Sequence, residues 1–456
     1  MGEPDPEPSA IEPEALTYDD LWAPFVEACT PPEQWRVGIE AERFGLIAST
    51  GAPVQYDGRV GILSLFKTLV AERGWQPQSE VVGGPVVSLS RGQAAVTLEP
   101  GSQLELSGSP HADLHLLGRE VLDHARELHE VSEPLGIRWV GLGFHPLARQ
   151  ADLGWVPKSR YGIMRDYLAS RGSQAHDMMR RTATVQANFD YRSERDALRK
   201  LRVALCLSPV VSTIFANSPF VEGHRFGGKS RRMMVWLDVD PDRQGLIPSL
   251  WRNGASLRDY IEWALDVPMF LFKRRGVVIR NTGQTFRSFM TDGFAGHRPA
   301  AADWTMHLNT LFPEVRLKRT LEVRGADSVP ARWMPALPAL WTGVLYDETS
   351  LEQAESLTAS WACDEMQTVR AQGAELGLDA RFRGQPLAST AERVVQIALD
   401  GLGRRGRLDE NGRDERVWLE PVAGLVERGR TPADELLAHV DPGAPLLDQL
   451  LELAPA

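Results

Sequence analysis

The feature that most constrains the fold of this chain is a period-two alternation of polar and apolar side chains, repeated in five stretches. In one of them, Thr182, Thr184, Gln186, Asn188 and Asp190 alternate with apolar residues. Successive side chains of a strand point to opposite faces of a sheet, so each stretch predicts a strand with an apolar back and a polar front. The five stretches are residues 37–42, 96–107, 182–190, 232–240 and 315–324.

The composition of the polar fronts is more specific than solvent exposure requires. For any one strand, an antiparallel sheet with one wet face is the simplest explanation. These fronts, however, gather glutamates on some strands and arginine with lysine on others. Because the strands are scattered from residue 37 to residue 324, we expect one sheet that draws on most of the chain, in one large α+β domain.

Glutamates on these fronts are the candidates for chemistry. They are Glu40 and Glu42 on one strand, Glu99 and Glu105 on either side of a Pro-Gly turn, and Glu322, which Arg324 follows two residues later. Carboxylates gathered on one surface repel unless cations compensate them, so their convergence predicts bound Mg²⁺ or Mn²⁺. Metal ions with flanking guanidinium groups suit phosphoryl transfer. The residues alone therefore indicate an ATP-dependent enzyme, either a ligase or a kinase.

Bulk composition excludes several other classes of protein. The chain has 456 residues and a formal net charge of -11, whereas a nonspecific nucleic-acid scaffold carries a net basic surface. The sequence contains no run of about 18 apolar residues, so it predicts no membrane-spanning helix. Three cysteines without a CxxC pair favour a reducing compartment, and the acidic, Pro-rich start lacks the basic residues of a signal or transit peptide. We therefore expect a cytoplasmic protein that binds neither nucleic acid nor membrane.

Local patterns divide the chain into three parts. Residues 1–14 are predicted to be a disordered tail, residues 15–445 a single catalytic domain whose part 350–445 is mostly helical, and residues 446–456 a second tail. Helices are predicted over residues 18–29, 113–130, 194–216, 256–264, 350–376 and 390–402, and a further strand over residues 137–144.

Several motifs, in this order along the chain, resemble those of glutamate–cysteine ligases of the plant and proteobacterial type. They are residues 37–45 (VGIEAERFG), 98–110 (LEPGSQLELSGSP), 157–165 (PKSRYGIMR), 182–188 (TATVQAN), 215–220 (FANSPF) and 311–318 (LFPEVRLK) through 321–327 (LEVRGAD). The resemblance implies a fold similar to the catalytic domain of glutamine synthetase, in which a curved, mainly antiparallel sheet forms a funnel backed by helices. It also implies a reaction in which ATP phosphorylates the side-chain carboxylate of L-glutamate and the amine of L-cysteine attacks the acyl phosphate. The product, γ-glutamylcysteine, is the first intermediate of glutathione synthesis.

The same resemblance assigns roles to individual residues. Five positions match metal ligands that hold Mg²⁺ against ATP: Glu40, Glu42, Glu99, Glu105 and Glu322. Arg324 matches the residue that stabilises the transferring phosphoryl group, with Lys318 as a helper. Glutamate-binding positions are matched by Arg160 with Tyr161 and by Arg232 with Trp236. For any of these arginines the structural alternative is a surface ion pair, which we expect for Arg316 and Arg319 but not for Arg324 or Arg232.

Two other functions stay open at this point. One is a carboxylate–amine ligase of the same fold that uses a different amine acceptor, and the other is a catalytically silent relative that only binds an amino acid or nucleotide. The retained glutamates argue against silence, because mutually repelling carboxylates have no use in a protein without catalysis. The expected assembly is a monomer or a homodimer.

Overall fold

The computed structural model describes residues 16–456, so the tail predicted for residues 1–14 lies outside the described residues. The helices are α1 Tyr18–Glu27, α2 Ile62–Arg73, α3 Leu114–Ser132, α4 Ser159–Leu168, α5 Ala175–Arg181, α6 Glu194–Ile214, α7 Arg231–Val235, α8 Leu257–Asp266, α9 Phe286–Asp292, α10 Ala301–Leu308, α11 Ala336–Leu345, α12 Glu348–Thr358, α13 Cys363–Leu376, α14 Leu387–Arg405, α15 Glu420–Val426, α16 Pro432–His439 and α17 Leu446–Leu453. The strands are β1 Val37–Ile47, β2 Gln76–Ser79, β3 Val86–Arg91, β4 Ala94–Leu98, β5 Leu104–Ser107, β6 Ile137–Val140, β7 Val185–Phe189, β8 Phe220–Val221, β9 His224–Arg225, β10 Gln244–Gly245, β11 Leu271–Arg274, β12 Val277–Arg280, β13 Phe312–Pro313, β14 Val315–Leu317, β15 Leu321–Val323, β16 Arg381–Phe382 and β17 Gln385–Pro386.

A nine-stranded sheet organises the molecule. Its order is β14-β15-β7-β1-β5-β4-β3-β2, with β6 paired to the second half of β1, and every pair is antiparallel. The long strand β1 is central because its first half pairs with β5 and β7 while its second half pairs with β6. The predicted α+β class with a mainly antiparallel sheet backed by helices is confirmed.

The apolar back of the sheet forms the hydrophobic core. Side chains such as Ile39, Val185 and Leu321 are buried in one cluster with residues of α6 and α11. Helix α6 begins at the N-cap Ser193, whose hydroxyl accepts a hydrogen bond from the Asp196 amide, and its face toward the sheet is almost wholly buried. Burial on this side leaves the opposite, polar side of the strands as the surface available for chemistry. Within residues 16–456, no helix has the length and apolar character needed to cross a membrane.

The strand predicted over residues 232–240 is wrong. Residues Arg231–Val235 form the short helix α7, and turns follow it. Ser230 caps this helix by accepting a hydrogen bond from the Met233 amide. A single helical turn that buries Met233 and Val235 produces the same alternation of residue types as a strand, so period two alone could not separate them.

Two further elements differ from the prediction in continuity. Residues 315–324 form the hairpin β14–β15 rather than one strand, closed by a hydrogen bond from the Lys318 amide to the Thr320 carbonyl. The helix predicted over residues 350–376 is two helices, α12 and α13. Between them Trp361 is buried against Phe382, and Glu365 accepts a hydrogen bond from the Ala362 amide at the start of α13.

The C-terminal segment predicted as a tail is folded. Residues 446–453 form α17, whose Leu450 is buried against β1 and β6 residues such as Phe44 and Val140. The Gly141 amide donates to the Ala454 carbonyl over 2.9 Å. The leucine repeat of α17 buries an apolar stripe, and that burial fixes the segment on the sheet. One catalytic domain over residues 15–445 stays a prediction.

Candidate active site

Strand register places the charged residues of the sheet side by side. Antiparallel partners point to the same face, and the pairs across six strands are Arg316 with Glu322, Glu322 with Asn188, Gln186 with Glu40, Glu42 with Glu105, and Glu105 with Thr97. We call this row the polar face. The prediction that these stretches share one polar surface is confirmed for all except residues 232–240.

Glu322 is the centre of a buried cationic cluster at one end of the polar face. Its carboxylate has no exposed surface. Arg316 donates to it from Nε at 2.5 Å and from Nη2 at 2.9 Å, Arg324 donates from Nη1 at 3.0 Å, and Lys318 Nζ lies 3.3 Å away. Burial would raise the pKa of Glu322, but the charges of Arg316, Lys318 and Arg324 outweigh it and hold the pKa well below its usual range.

This cluster corrects the expectation for Arg316. A surface ion pair was predicted, yet Arg316 is buried, and its remaining nitrogen donates to the carbonyls of Asn309 and Leu311. The guanidinium is therefore fully used inside the protein. Lys318 and Arg324 keep 24% and 15% of their side-chain surface exposed, so these two can reach a ligand.

Four glutamates occupy the middle of the polar face. Glu40 accepts a hydrogen bond from Asn188 and Glu42 from the Thr184 amide, both at 3.0 Å, and Glu105 accepts from Thr97 at 2.8 Å. Burial, together with the neighbouring carboxylates, raises the pKa of Glu40 and raises that of Glu42 further. For Glu42 the neighbours are Glu99 and Glu105. Protons or cations would relieve this repulsion.

The glutamates predicted as metal ligands do not form a ready coordination shell in the described part of the chain. Among residues 16–456, no group of three or more His, Cys, Asp and Glu side chains is arranged to hold a metal ion. Glu322 in particular directs both oxygens at Arg316, Lys318 and Arg324. The donor chemistry nevertheless fits a hard divalent cation, because clustered carboxylate oxygens are the ligands that Mg²⁺ prefers.

Arg160 and Tyr161 lie at the Glu99 end of the polar face. They start helix α4, where the Tyr161 hydroxyl donates to the Leu98 carbonyl at 2.7 Å and the Arg160 guanidinium lies 5.2 Å from the Tyr161 ring. Lys158, which the sequence interpretation missed, donates from Nζ to the same carbonyl at 2.8 Å. Burial and the charge of Arg160 lower the pKa of Lys158 to about 8.

Arg232 and Trp236 line an open cleft beside Arg324. Arg232 donates to the Gly325 and Arg324 carbonyls at 2.7 and 2.9 Å, so it holds the loop that follows β15. Its Nε and the Trp236 Nε1 are buried without a hydrogen-bond partner in the described part of the chain. Unpaired buried donors are costly, and their presence in the wall of a cleft indicates a site for acceptor atoms.

Asp327 joins the cleft to the rest of the site. Its carboxylate, which has no exposed surface, accepts hydrogen bonds from Ser218 Oγ at 2.6 Å, from Ser230 Oγ at 2.9 Å and from the Asn217 amide at 2.8 Å. The Arg232 amide donates in turn to Ser218 Oγ. This carboxylate therefore fixes three sequence segments around Arg232.

The predicted site residues thus form one surface with two separate ends. Arg160 and Tyr161 lie beside the glutamates, whereas Arg232 and Trp236 lie beside Arg324. Sequence reasoning missed two further cleft residues, Glu314 and Arg370, which form an ion pair at 2.7 Å. Glu314 stands within the 311–318 motif, but nothing in the sequence pairs it with an arginine on α13.

Comparison with known proteins decides the family. The sequence profile described as "Glutamate-cysteine ligase family 2" matches residues 36–449. The chain belongs to this family. The chloroplastic glutamate–cysteine ligase of Brassica juncea is 41% identical over 95% of this chain and 83% of its own length, and that of Arabidopsis thaliana is 40% identical over 95% and 82%.

Structural comparison supports the fold. The crystal structure of glutamate–cysteine ligase from Francisella tularensis in complex with AMP matches with a TM-score of 0.58, covering 92% of this chain and 87% of that one at 12% identity. The predicted membership of the glutamate–cysteine ligase family is confirmed, and the chain is a ligase. The prediction of a cytoplasmic protein is wrong on this comparison, because the relatives at about 40% identity are named as chloroplastic.

Proposed function

We propose that this member of glutamate–cysteine ligase family 2 joins the γ-carboxylate of L-glutamate to the amine of L-cysteine at the expense of ATP. The products are γ-glutamylcysteine, ADP and phosphate, and the first of these leads to glutathione. The reaction follows from family membership and from relatives at about 40% identity with that name. The observation that carries it is the polar face, where a cationic cluster, four glutamates and a cleft adjoin.

Arg324 and Lys318 would stabilise the transferring phosphoryl group. A carboxylate is a poor acylating agent, and phosphorylation converts it into an acyl phosphate that an amine can attack with loss of phosphate. Negative charge on the transferring group needs cations that are already in position. Glu322 holds both side chains, at 3.0 and 3.3 Å, while each keeps part of its surface exposed and Arg324 lines the cleft.

Glu40, Glu42, Glu99 and Glu105 would hold Mg²⁺, with Mn²⁺ as a substitute and Glu322 as a fifth, more heavily paired candidate. The ion would neutralise phosphate charge when bound. The raised pKa values of Glu40 and Glu42 fit this role, because a divalent cation replaces the proton that the crowded carboxylates would otherwise take up. The chain's own contribution is to gather these carboxylates on one face in advance, with Glu42 and Glu105 buried.

The cleft would bind the amino-acid donor. Arg232 Nε and Trp236 Nε1 are donors without partners there, and Arg160 with Tyr161 would grip a second anionic group at the Glu99 end. The adenine nucleotide is supported by the AMP complex of the structural neighbour. Every residue in this scheme comes from one chain, so a monomer and a homodimer would each carry complete sites.

The test is ADP release by the purified protein with Mg-ATP and L-glutamate, with and without L-cysteine, and mass identification of the product. Cysteine-dependent ADP together with γ-glutamylcysteine would support the proposal. If ADP appears only with another amine, the protein is a ligase of the same reaction type with an acceptor other than L-cysteine. If no amine produces ADP, the protein is a catalytically silent relative. Arg324→Met serves as the matched control, because a contaminating ATPase would survive that substitution.

A further inference from the structure

The cleft beside Arg324 contains one carboxylate among its arginines. Its walls include Arg232, Arg324, Arg370 and Glu314. A phosphate site would have no use for Glu314, since like charges repel. A cleft of mixed charge instead suits a ligand that carries both signs, such as an α-amino acid.

Only one oxygen of Glu314 is engaged by its arginine partner. Arg370 donates from Nε at 2.9 Å, its Nη2 lies 2.7 Å away, and both nitrogens face Oε1. A purely structural pair would be expected to use both oxygens in a fork-to-fork arrangement. Oε2 is thereby left for another donor.

Gly325 shows where Oε2 lies. A Cβ added at Gly325 would be 2.5 Å from Glu314 Oε2 and would overlap Ser212 Oγ. Both Gly325 and Ser212 line the same cleft, so Oε2 borders the space in which a ligand would sit. The absence of a side chain at position 325 keeps that oxygen accessible.

The backbone fixes Glu314 relative to the catalytic arginine. The Arg324 amide donates to the Glu314 carbonyl at 3.1 Å, and the Glu314 amide donates to the Gly245 carbonyl at 2.9 Å. These bonds fix the backbone of Glu314 beside Arg324, and Arg370 holds its carboxylate. A rigid anion opposite rigid cations selects a ligand by the spacing of its own charges.

We infer that Glu314 Oε2 binds the α-ammonium group of the amino-acid donor and so distinguishes L-glutamate from a plain dicarboxylate. This inference rests on the proposed function. The arginines and Trp236 would take the carboxylates, while Glu314 takes the single positive charge. A charge-assisted hydrogen bond of this kind corresponds to about 10- to 100-fold in affinity.

The experiment is calorimetric titration of the folded enzyme with L-glutamate and with glutarate, which is glutamate without its α-amino group. The wild type should bind glutarate about 10- to 100-fold more weakly than L-glutamate. The Glu314→Gln variant should bind L-glutamate more weakly by a similar factor and should bind glutarate as tightly as the wild type does, or more tightly. The preference for L-glutamate should therefore disappear. Glu375→Gln, the same change at an exposed position on α13, is the matched control and should keep the wild-type preference.

Two results would overturn the inference. One is a wild type that binds glutarate as well as L-glutamate, or binds neither, and this test holds even if the Glu314 variant fails to fold. The other is a folded Glu314→Gln protein in which both ligands weaken equally, as expected if Glu314 only holds Arg370. Failure of the proposed function is separate, because it would appear as absent cysteine-dependent ADP in an enzyme that still prefers L-glutamate.

Discussion

Replacing Glu322 with glutamine tests the centre of the cationic cluster. The substitution keeps the shape of the side chain and removes its charge. One oxygen could still accept a hydrogen bond, but the new amide group would point its own N–H donors at those of Arg316 or Arg324. Three cations would then lie around a buried neutral group, at a position with no exposed surface.

The expected loss of stability is large. Removing one partner of a buried ion pair costs about 3–5 kcal/mol, because the remaining charge stays desolvated. With about 2.1 cal/mol/K of unfolding entropy per residue, a chain of this length loses roughly 1 kcal/mol per kelvin near its midpoint, so the melting temperature should fall by about 3–5 °C. Turnover should be lost as well, because Arg324 and Lys318 no longer have their anchor.

The effect should depend on pH in a defined direction. The folded state holds the pKa of Glu322 well below its usual range. Its contribution to stability is therefore complete above the unfolded value of about 4.3 and disappears as the pH falls through the lower folded pKa. The gap in melting temperature between wild type and variant should narrow in acid.

Scanning calorimetry at neutral and acid pH, with cysteine-dependent ADP release, measures these effects. The double variant Arg316→Met with Glu322→Leu is the control, since replacing a buried pair by apolar side chains restores stability in many proteins without restoring chemistry. A Glu322→Gln protein that melts with the wild type and turns over normally would refute the role of Glu322 as anchor.

Three other substitutions probe the rest of the site. Because burial and neighbouring carboxylates raise the pKa of Glu42, its charge destabilises the fold increasingly as the pH rises above about 4.3. The Glu42→Gln variant should therefore have a higher melting temperature than the wild type at pH 8 without magnesium. Addition of Mg²⁺ should raise the melting temperature of the wild type more than that of the variant. Lys158, with a pKa of about 8, should cause kcat/KM to fall as the pH rises through that value. In the Lys158→Arg variant this fall should occur at a higher pH. An unchanged pH profile would show that Lys158 has no role in substrate binding. Gly325→Ala should lower kcat/KM for L-glutamate at least about tenfold, because its Cβ overlaps Ser212 Oγ and crowds the cleft, and full activity would show that the loop can shift.

Alternation along the chain was sufficient to predict the polar face. Glu40, Glu42 and Glu105 occupy it because a strand reverses side at every residue, and no tertiary information is needed for that. The turn at Pro100-Gly101 also preserved the face, as the pairing of Thr97 with Glu105 shows.

The missing parts depend on contacts between distant residues. Arg316 lies on the polar front whether residues 315–324 form a strand or a hairpin. Only the hairpin places it opposite Glu322, where it is buried. Glu314 directly precedes β14 and Arg370 lies in α13, so the two are far apart in sequence. Nothing in the local sequence around either residue indicates that they pair. The short helix α7 shows the same limit, because burial of one turn and alternation in a strand select similar residues.

The strand order has a consequence for how the protein is made. β1, near the start of the chain, must wait for β7 and then for β15, which completes the cationic end of the polar face only after residue 321 has been synthesised. Helix α11, which packs on the apolar back of β1, is made later still, and such long-range pairing is slow and prone to aggregation. Nascent chains should therefore need shielding until about three-quarters of the sequence has emerged, and a fragment that ends before β15 should be insoluble as well as inactive.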